Sequence, residues 1–175
     1  DGRAARETMW YDSKLMGDVF RVAWCRRDVF LLSAAFSALL LGGSLYLIFR
    51  PDTLLLFSWL RGLHLDGPVS ALRAGAEPLA RIAPAWLCNS LPEALWLFSG
   101  VLGLAVVWRD GSCAAFHGWA GAILALGIGS ELGQLAGIVP GRFDIADLTW
   151  MLAAYTAAMV CTAGPFRWSA RETDT

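Results

Sequence analysis

The chain has 175 residues, of which 57% are hydrophobic and 17% are charged. This length suits about one domain, but the composition is not that of an ordinary water-soluble protein and indicates lipid surroundings. The 14 basic and 15 acidic residues nearly cancel, and no Lys/Arg tract resembles a nucleic-acid-binding arm. We therefore expect no nucleic-acid partner.

Residues 1–28 are predicted to form a cytoplasmic tail. Its apolar residues follow a helical spacing at Leu15, Met16, Val19, Phe20 and Ala23. This spacing is typical of an amphipathic helix lying at the membrane interface. An ordinary juxtamembrane tail with its tryptophans at headgroup level fits the same residues, and the sequence leaves both interpretations open.

Four later stretches are apolar enough to cross a membrane as helices, which takes about 20 residues each. They are residues 29–49, 91–108, 114–139 and 145–166. Residues 50–90 are expected to form an outer loop with two short amphipathic helices, and residues 167–175 a cytoplasmic tail. The sequence thus predicts an all-α membrane protein with four transmembrane helices.

The charged residues that flank these spans predict an orientation. Basic residues are more numerous on the side that would hold both termini. Because positively charged loops tend to stay in the cytoplasm, we expect both termini to be cytoplasmic. The long loop and the last hairpin would then lie outside.

The run GIGSELGQLAGIVPGRFDIADLTW ends the third predicted span and contains several polar residues. Glu131 and Gln134 are three residues apart and share one helix face. If the helix ends near Pro140, Glu131 lies about 13 Å below that end, within the membrane. A carboxylate at mid-membrane costs roughly 3 kcal/mol unless it is paired, hydrated or protonated. Arg142 is therefore the expected partner of Glu131.

Glu93, Asp144 and Asp147 should reach the same outer level of the membrane. One arginine cannot neutralise all these acids, so at least one is expected to be protonated, hydrated or matched by an incoming cation. Capping is a competing explanation, with Ser90 as N-cap before Glu93, and Asp144 as N-cap before Asp147. We favour capping for Glu93 and Asp144, leave Asp147 open, and favour a functional role for Glu131.

Three glycines of the third span recur every four residues, at Gly129, Gly133 and Gly137. They lie on nearly the opposite helix face from Glu131. Such a small-residue stripe permits two helices to approach closely. We therefore predict that this face packs against a neighbouring helix.

The residues that commonly build metal, haem or catalytic sites are scattered along the chain. Cysteines stand at positions 25, 88, 113 and 161 without C-x-x-C spacing, and are predicted to be free thiols. His64 and His117 have no clustered ligand partners. No phosphate loop, hydrolase or metalloprotease motif occurs. We therefore predict no metal site, no cofactor and no catalytic residue.

Three segments together resemble the VanZ-like family of small bacterial membrane proteins: FRPDTLLLFSWL, NSLPEALW and ELGQLAGIVPGRFDIADL. The resemblance implies a location in the bacterial cytoplasmic (inner) membrane. It also implies a signature site at Glu131, Gln134, Arg142, Asp144 and Asp147. The chain departs from many relatives in having one residue fewer between the hairpin arginine and the first aspartate. It also has Met151 where an asparagine is usual, so we expect no site that needs that amide.

Three functional hypotheses follow. The first is a non-catalytic membrane protein whose outer-leaflet polar cluster binds a polar lipid or a cell-envelope component. The alternative is an accessory structural subunit that contacts other membrane-protein subunits. A third, enzymatic or proton-conducting, would use Glu131 and Asp147 as proton-exchanging acids. It is the weakest, because no nucleophile or metal site accompanies them.

Overall fold

A computed structural model describes residues 26–52, 55–109 and 111–163, and all of the regular structure within them is helical. The six helices are α1 (Arg26–Phe49), α2 (Leu55–Gly62), α3 (Asp66–Ala80), α4 (Ala85–Val107), α5 (Cys113–Leu135) and α6 (Ile145–Thr162). This confirms the predicted all-α fold class. The proposed interfacial helix, Cys25 and the C-terminal tail lie outside the described residues.

Four of these helices, α1, α4, α5 and α6, are long and apolar enough to cross a membrane. Their side chains have the distribution expected in lipid. Large apolar groups such as Phe36, Leu126 and Val160 are more than 60% exposed, whereas Glu131 and Asp147 are buried. Large apolar side chains on the surface and ionisable side chains in the interior match the bilayer as solvent. The chain is accordingly a multi-pass membrane protein.

Contacts along the chain separate residues 1–30 from residues 31–175. The described residues of the first unit, 26–30, form the beginning of α1. In the second unit, α4 and α6 form the most extensive helix pair. The buried core lies along α4, where Val101 and Leu102 have no exposed surface, and includes Met151 and Ala158 of α6.

Several span boundaries differ from those predicted, including the start of α1 at Arg26 rather than residue 29 and the end of α6 at Thr162 rather than residue 166. Helix α4 begins at Ala85 rather than at residue 91, and it contains Pro92 in its interior. A proline removes one backbone donor, but membrane helices tolerate it where neighbouring groups satisfy the backbone. Helix α5 ends at Leu135 rather than near residue 139.

A glycine turn explains the early end of α5. Gly137 has a φ of 70°. The N–H of Gly137 donates to the carbonyl of Gln134 at 3.0 Å, and the N–H of Ile138 donates to the carbonyl of Gly133 at 2.9 Å. These two bonds define a Schellman motif, in which a left-handed residue, usually glycine, satisfies the last carbonyls of a helix. The chain then turns through the hairpin into α6.

Arg73 links the short helices of the 50–90 segment to the end of α1. Arg73 of α3 donates to the carbonyl of Leu47 at 2.7 Å and also to the carbonyl of Arg50. The Arg73 guanidinium lies 4.5 Å from the ring centre of Phe57, a buried residue of α2. A basic side chain at these positions satisfies carbonyls that the helix leaves without donors. The segment thus contains two short helices, whose amphipathic character and position at a membrane surface stay predictions.

Helices α1 and α4 approach closely at Gly42. A Cβ atom there would lie 2.9 Å from the indole of Trp96 and 3.0 Å from the carbonyl oxygen of Pro92. One turn further along α1, the rings of Tyr46 and Trp96 are 5.1 Å apart. This contact brings the end of α1 beside the first turns of α4.

Candidate functional site

Four helix ends converge on one cavity of 870 Å³. It lies at the end of α1, the start of α4, the end of α5 and the start of α6. Its charged lining consists of Arg50, Glu93, Glu131, Arg142, Asp144 and Asp147. Four acids face two arginines, so the lining carries an excess of two negative charges when every group is ionised. The hairpin between α5 and α6 forms one wall.

Arg50 connects α1 to α4 within this cavity. Its Nη2 atom lies 2.8 Å from Oε1 of Glu93 and donates to the carbonyl of Asn89 at 3.2 Å. The two charged side chains are 25% and 34% exposed, respectively. This partial burial makes the ion pair stronger than one in open solvent.

The arginine that pairs with an acid is therefore not the one predicted from the sequence. Arg142 lines the cavity and is exposed, and within the described residues it forms no ion pair with Glu131. The predicted Arg142–Glu131 pair is wrong. Arg142 belongs to the hairpin, whose backbone holds the residue near the cavity entrance, whereas Arg50 directly follows α1 and lies beside α4.

Glu131 is 2% exposed, although a carboxylate is costly to bury. Its Oε1 accepts a hydrogen bond from Nε2 of Gln134 at 3.2 Å, and its Oε2 accepts one from the backbone N–H of Asp144 at 3.5 Å. Because α5 ends at Leu135, Glu131 lies only about 6 Å below the helix end by helical rise, instead of the predicted 13 Å. It is buried by the hairpin, close to the polar end of the spans.

Three carboxylates from three different helices meet in this cavity. Oxygen atoms of Glu93, Glu131 and Asp147 all lie within 4.8 Å of one another. Two unit charges at 4.8 Å repel by about 3.5 kcal/mol at an effective dielectric constant near 20. Arg50 offsets one of these charges. The other two have no cationic side chain in ion-pair contact within the described residues.

Asp144 and Asp147 have separate roles in the structure. Asp144 is the N-cap of α6, and its Oδ1 accepts from the N–H of Ala146 at 2.9 Å. This agrees with the capping interpretation of Asp144. Asp147 is the N3 residue of α6. It does not complete a capping box, because the backbone N–H of Asp144 donates to Glu131 and not to the Asp147 side chain. The Asp147 side chain is 7% exposed and faces the cavity.

The capping interpretation of Glu93 is wrong. Helix α4 begins after Pro84, which places Ser90 and Glu93 inside the helix rather than at its first turn. Ser90 is 1% exposed, and its hydroxyl has no hydrogen-bond partner among the described residues. Glu93 therefore belongs to the polar cavity through its contact with Arg50.

The glycine stripe of α5 does not contact a neighbouring helix in the described structure. A Cβ atom at Gly129 would meet no atom within 4 Å, and one at Gly133 would meet Val139 of the following hairpin at 2.7 Å. Gly137 lies beyond the helix and forms the turn. A Cβ at Gly141, which has a φ of 146°, would overlap the Gln134 side chain at 2.6 Å. The hairpin glycines thus allow the chain to fold back over Glu131 and Gln134.

Met151 lies in the core. It is 3% exposed, and its sulfur would be 2.8 Å from a Cβ atom at Gly127. It is absent from the cavity lining. Met151 therefore fills space between α5 and α6 and does not line the described cavity.

Three residues that line the cavity were not predicted from the sequence: Tyr46, Arg50 and Asn89. A signal was present, because Gly42, Tyr46 and Arg50 recur every four residues and therefore share one face of α1. A small, an aromatic and a basic residue on one face, ending at a span boundary, indicate a contact with another helix. Only the position of α4 identifies Glu93 as the acid that Arg50 meets.

The described cavity can bind a polar group of moderate size. Its carboxylates accept hydrogen bonds or bind cations, and its arginines bind phosphate or carboxylate oxygens. No cysteine or histidine lies among its described lining residues. Comparisons of the chain with protein-family models, with curated proteins and with solved structures gave no match.

Proposed function

We propose that the cavity binds the phosphate-bearing headgroup of a polar lipid or cell-envelope component, without catalysis. The single observation that carries this proposal is the 870 Å³ cavity with arginine and carboxylate side chains at one end of four membrane-spanning helices. Pockets of about 300–1,000 Å³ accommodate small ligands. A polar pocket at the end of a membrane span is accessible to lipids within the bilayer.

Arg142 is the residue proposed to contact the phosphate. It is exposed, lines the cavity and has no ion pair within the described residues, so its guanidinium does not have to give up a protein partner. Guanidinium groups bind phosphate with two parallel hydrogen bonds. Ile145, which also lines the cavity, is 66% exposed and offers an apolar surface for the adjoining part of an amphiphile.

The proposed location is the outer leaflet of the bacterial inner membrane, with both termini cytoplasmic. The excess of basic residues on the terminal side supports this orientation. The resemblance to the VanZ-like family supports the bacterial envelope as the setting. In this orientation the cavity opens toward the outer headgroups.

Gentle extraction followed by native mass spectrometry tests the proposal. The wild-type protein is expected to retain one phosphate-bearing lipid, and Arg142→Ala is expected to lose it while its unfolding temperature is unchanged. Arg81→Ala is the matched control, because Arg81 is an exposed arginine that caps the end of α3 and pairs with Glu77 of that helix, outside the cavity lining. Equal lipid retention by all three proteins would contradict the assignment of Arg142.

An accessory subunit of a larger membrane complex is the second candidate function. The exposure of α5 favours this function, since α5 is the least buried of the four spans. Gly118, Gly121 and Gly129 of this helix each have open space at the Cβ position within the described structure. Small residues let another transmembrane helix approach closely. In the same extraction experiment, a stoichiometric protein that is lost on Gly121→Leu would support this function and oppose the first.

A further inference from the structure

The three converging carboxylates have a geometry that a bound metal ion would explain. Glu93 of α4, Glu131 of α5 and Asp147 of α6 each offer an oxygen atom, and these atoms lie within 4.8 Å of one another. Like charges brought this close in a largely buried place require compensation. Arg50 compensates Glu93 at 2.8 Å, which leaves Glu131 and Asp147.

A second observation is a buried oxygen atom of Asp147 that lacks a partner within the described structure. Asp147 is 7% exposed, and its buried Oδ1 atom has no hydrogen-bond partner among the described residues. Its side chain lines the cavity beside the other two carboxylates. Buried carboxylate oxygens are normally hydrogen-bonded, paired or coordinated to a metal. An ion between the three groups would satisfy this oxygen.

We propose that Glu93, Glu131 and Asp147 bind one hard divalent cation, with Ca²⁺ as the best match. Ca²⁺ binds oxygen at about 2.3–2.6 Å, so ligands on opposite sides can be about 5 Å apart, whereas Mg²⁺ allows about 4 Å. The three oxygen atoms lie within 4.8 Å of one another, and Ca²⁺, with its longer bonds and flexible geometry, can bridge oxygens over this range. Water molecules in the cavity complete the coordination shell.

The donor set excludes the softer metals as the preferred occupant. All three ligands are carboxylates, and the described cavity lining contains no cysteine or histidine. Oxygen donors of this kind select calcium, magnesium or manganese over zinc and copper. The sequence predicted no metal site because the three acids are 38 and 16 residues apart along the chain and show no ligand spacing. This inference goes beyond the proposed headgroup function and does not depend on it.

The test is calcium binding by the purified full chain in detergent after treatment with EDTA. Equilibrium dialysis with radioactive Ca²⁺ is expected to show one saturable site per chain, and Ca²⁺ alone is expected to raise the unfolding temperature. Asp147→Asn and Glu131→Gln should each weaken binding at least tenfold. Both substitutions keep the side-chain shape, and two variants are used so that misfolding of one leaves the other informative.

The matched control is Glu77→Gln, which removes an exposed acid of α3 away from the cavity and should bind Ca²⁺ like the wild type. Absence of saturable binding to folded wild-type protein would overturn the proposal. So would binding that both amide variants retain. An unfolding temperature that rises at low pH but does not respond to Ca²⁺ would assign the compensating charge to a proton and reject the metal site. Lipid retention is measured separately on Arg142 variants, so the two proposals can fail independently.

Discussion

Replacing Arg50 by methionine is expected to destabilise the protein by removing the only cation that contacts the carboxylates in the described structure. Methionine retains much of the aliphatic stem but has no donor. The substitution breaks the 2.8 Å contact with Glu93 and the 3.2 Å hydrogen bond to the carbonyl of Asn89. It leaves Glu93 beside two other acids without a compensating charge.

The expected loss lies between the values for surface and buried ion pairs. Exposed pairs contribute up to about 1 kcal/mol, whereas breaking a buried pair costs about 3–5 kcal/mol. The Arg50 and Glu93 side chains are 25% and 34% exposed, so an intermediate loss of about 2 kcal/mol is expected. For a chain of this length, that corresponds to an unfolding temperature lower by about 4–8 °C.

Tryptophan fluorescence during thermal unfolding in detergent and EDTA measures this loss, because the chain contains nine tryptophans. Glu93→Gln in the Arg50→Met background removes the stranded charge and is expected to restore stability to within about 1 kcal/mol of the wild type. The control is Arg142→Met, which breaks no ion pair to a described residue and should change stability by less than about 0.5 kcal/mol.

Two results would refute this account of the cavity. The first is an Arg142→Met variant that is destabilised as much as Arg50→Met, which would restore the pairing predicted from the sequence. The second is a double variant of Arg50 and Glu93 that is no more stable than Arg50→Met alone. That result would show that Arg50 stabilises the chain through its backbone contacts and not through the carboxylates.

The remaining predictions concern two glycines and the orientation. Gly42→Ala places a methyl group 2.9 Å from an indole of α4 and is expected to cost about 1–3 kcal/mol in thermal unfolding, whereas Gly43→Ala, in open space, should cost nothing. Equal stability of these two variants would contradict the close approach of α1 and α4. Gly137→Ala, at a φ of 70°, is expected to cost about 1 kcal/mol, whereas Gly129→Ala in the open face of α5 should be neutral or stabilising. A destabilised Gly129→Ala with an unaffected Gly137→Ala would contradict the assigned end of α5. A sole cysteine at Cys113 should label with an impermeant thiol reagent only after permeabilisation, and labelling in intact cells would invert the proposed orientation.

The four spans could be predicted from the sequence because each depends on a local quantity, the hydrophobicity of about 20 consecutive residues. The same reasoning placed Asp144 at an N-cap, since capping involves only neighbouring residues. It failed at Ser90 and Glu93, where a capping pattern occurs within a helix that starts earlier. A local motif does not specify where a helix begins when an apolar stretch continues on its N-terminal side.

The acids of the site were predictable from the sequence, whereas Arg50 and the pairing of charges were not. Counting spans placed Glu93, Glu131 and Asp147 in the same outer half of the membrane, and the structure brings their oxygens within 4.8 Å of one another. Arg142 was chosen as the partner of Glu131 because it is near in sequence. Arg50 lies 43 residues from Glu93, and their contact depends on how closely α1 packs on α4.

The sequence by itself determined the class of protein, the number of membrane-spanning helices and the end at which the acids gather, since hydrophobicity and alternation of spans suffice for each. Only the tertiary structure decided which charges are in contact. The distance between two side chains on different helices depends on helix packing, here on the absence of a side chain at Gly42 and on the glycine turn at Gly137. Electrostatic energy varies with that distance and with burial, so the pairing of Arg50 and the meeting of three carboxylates are properties of the folded chain.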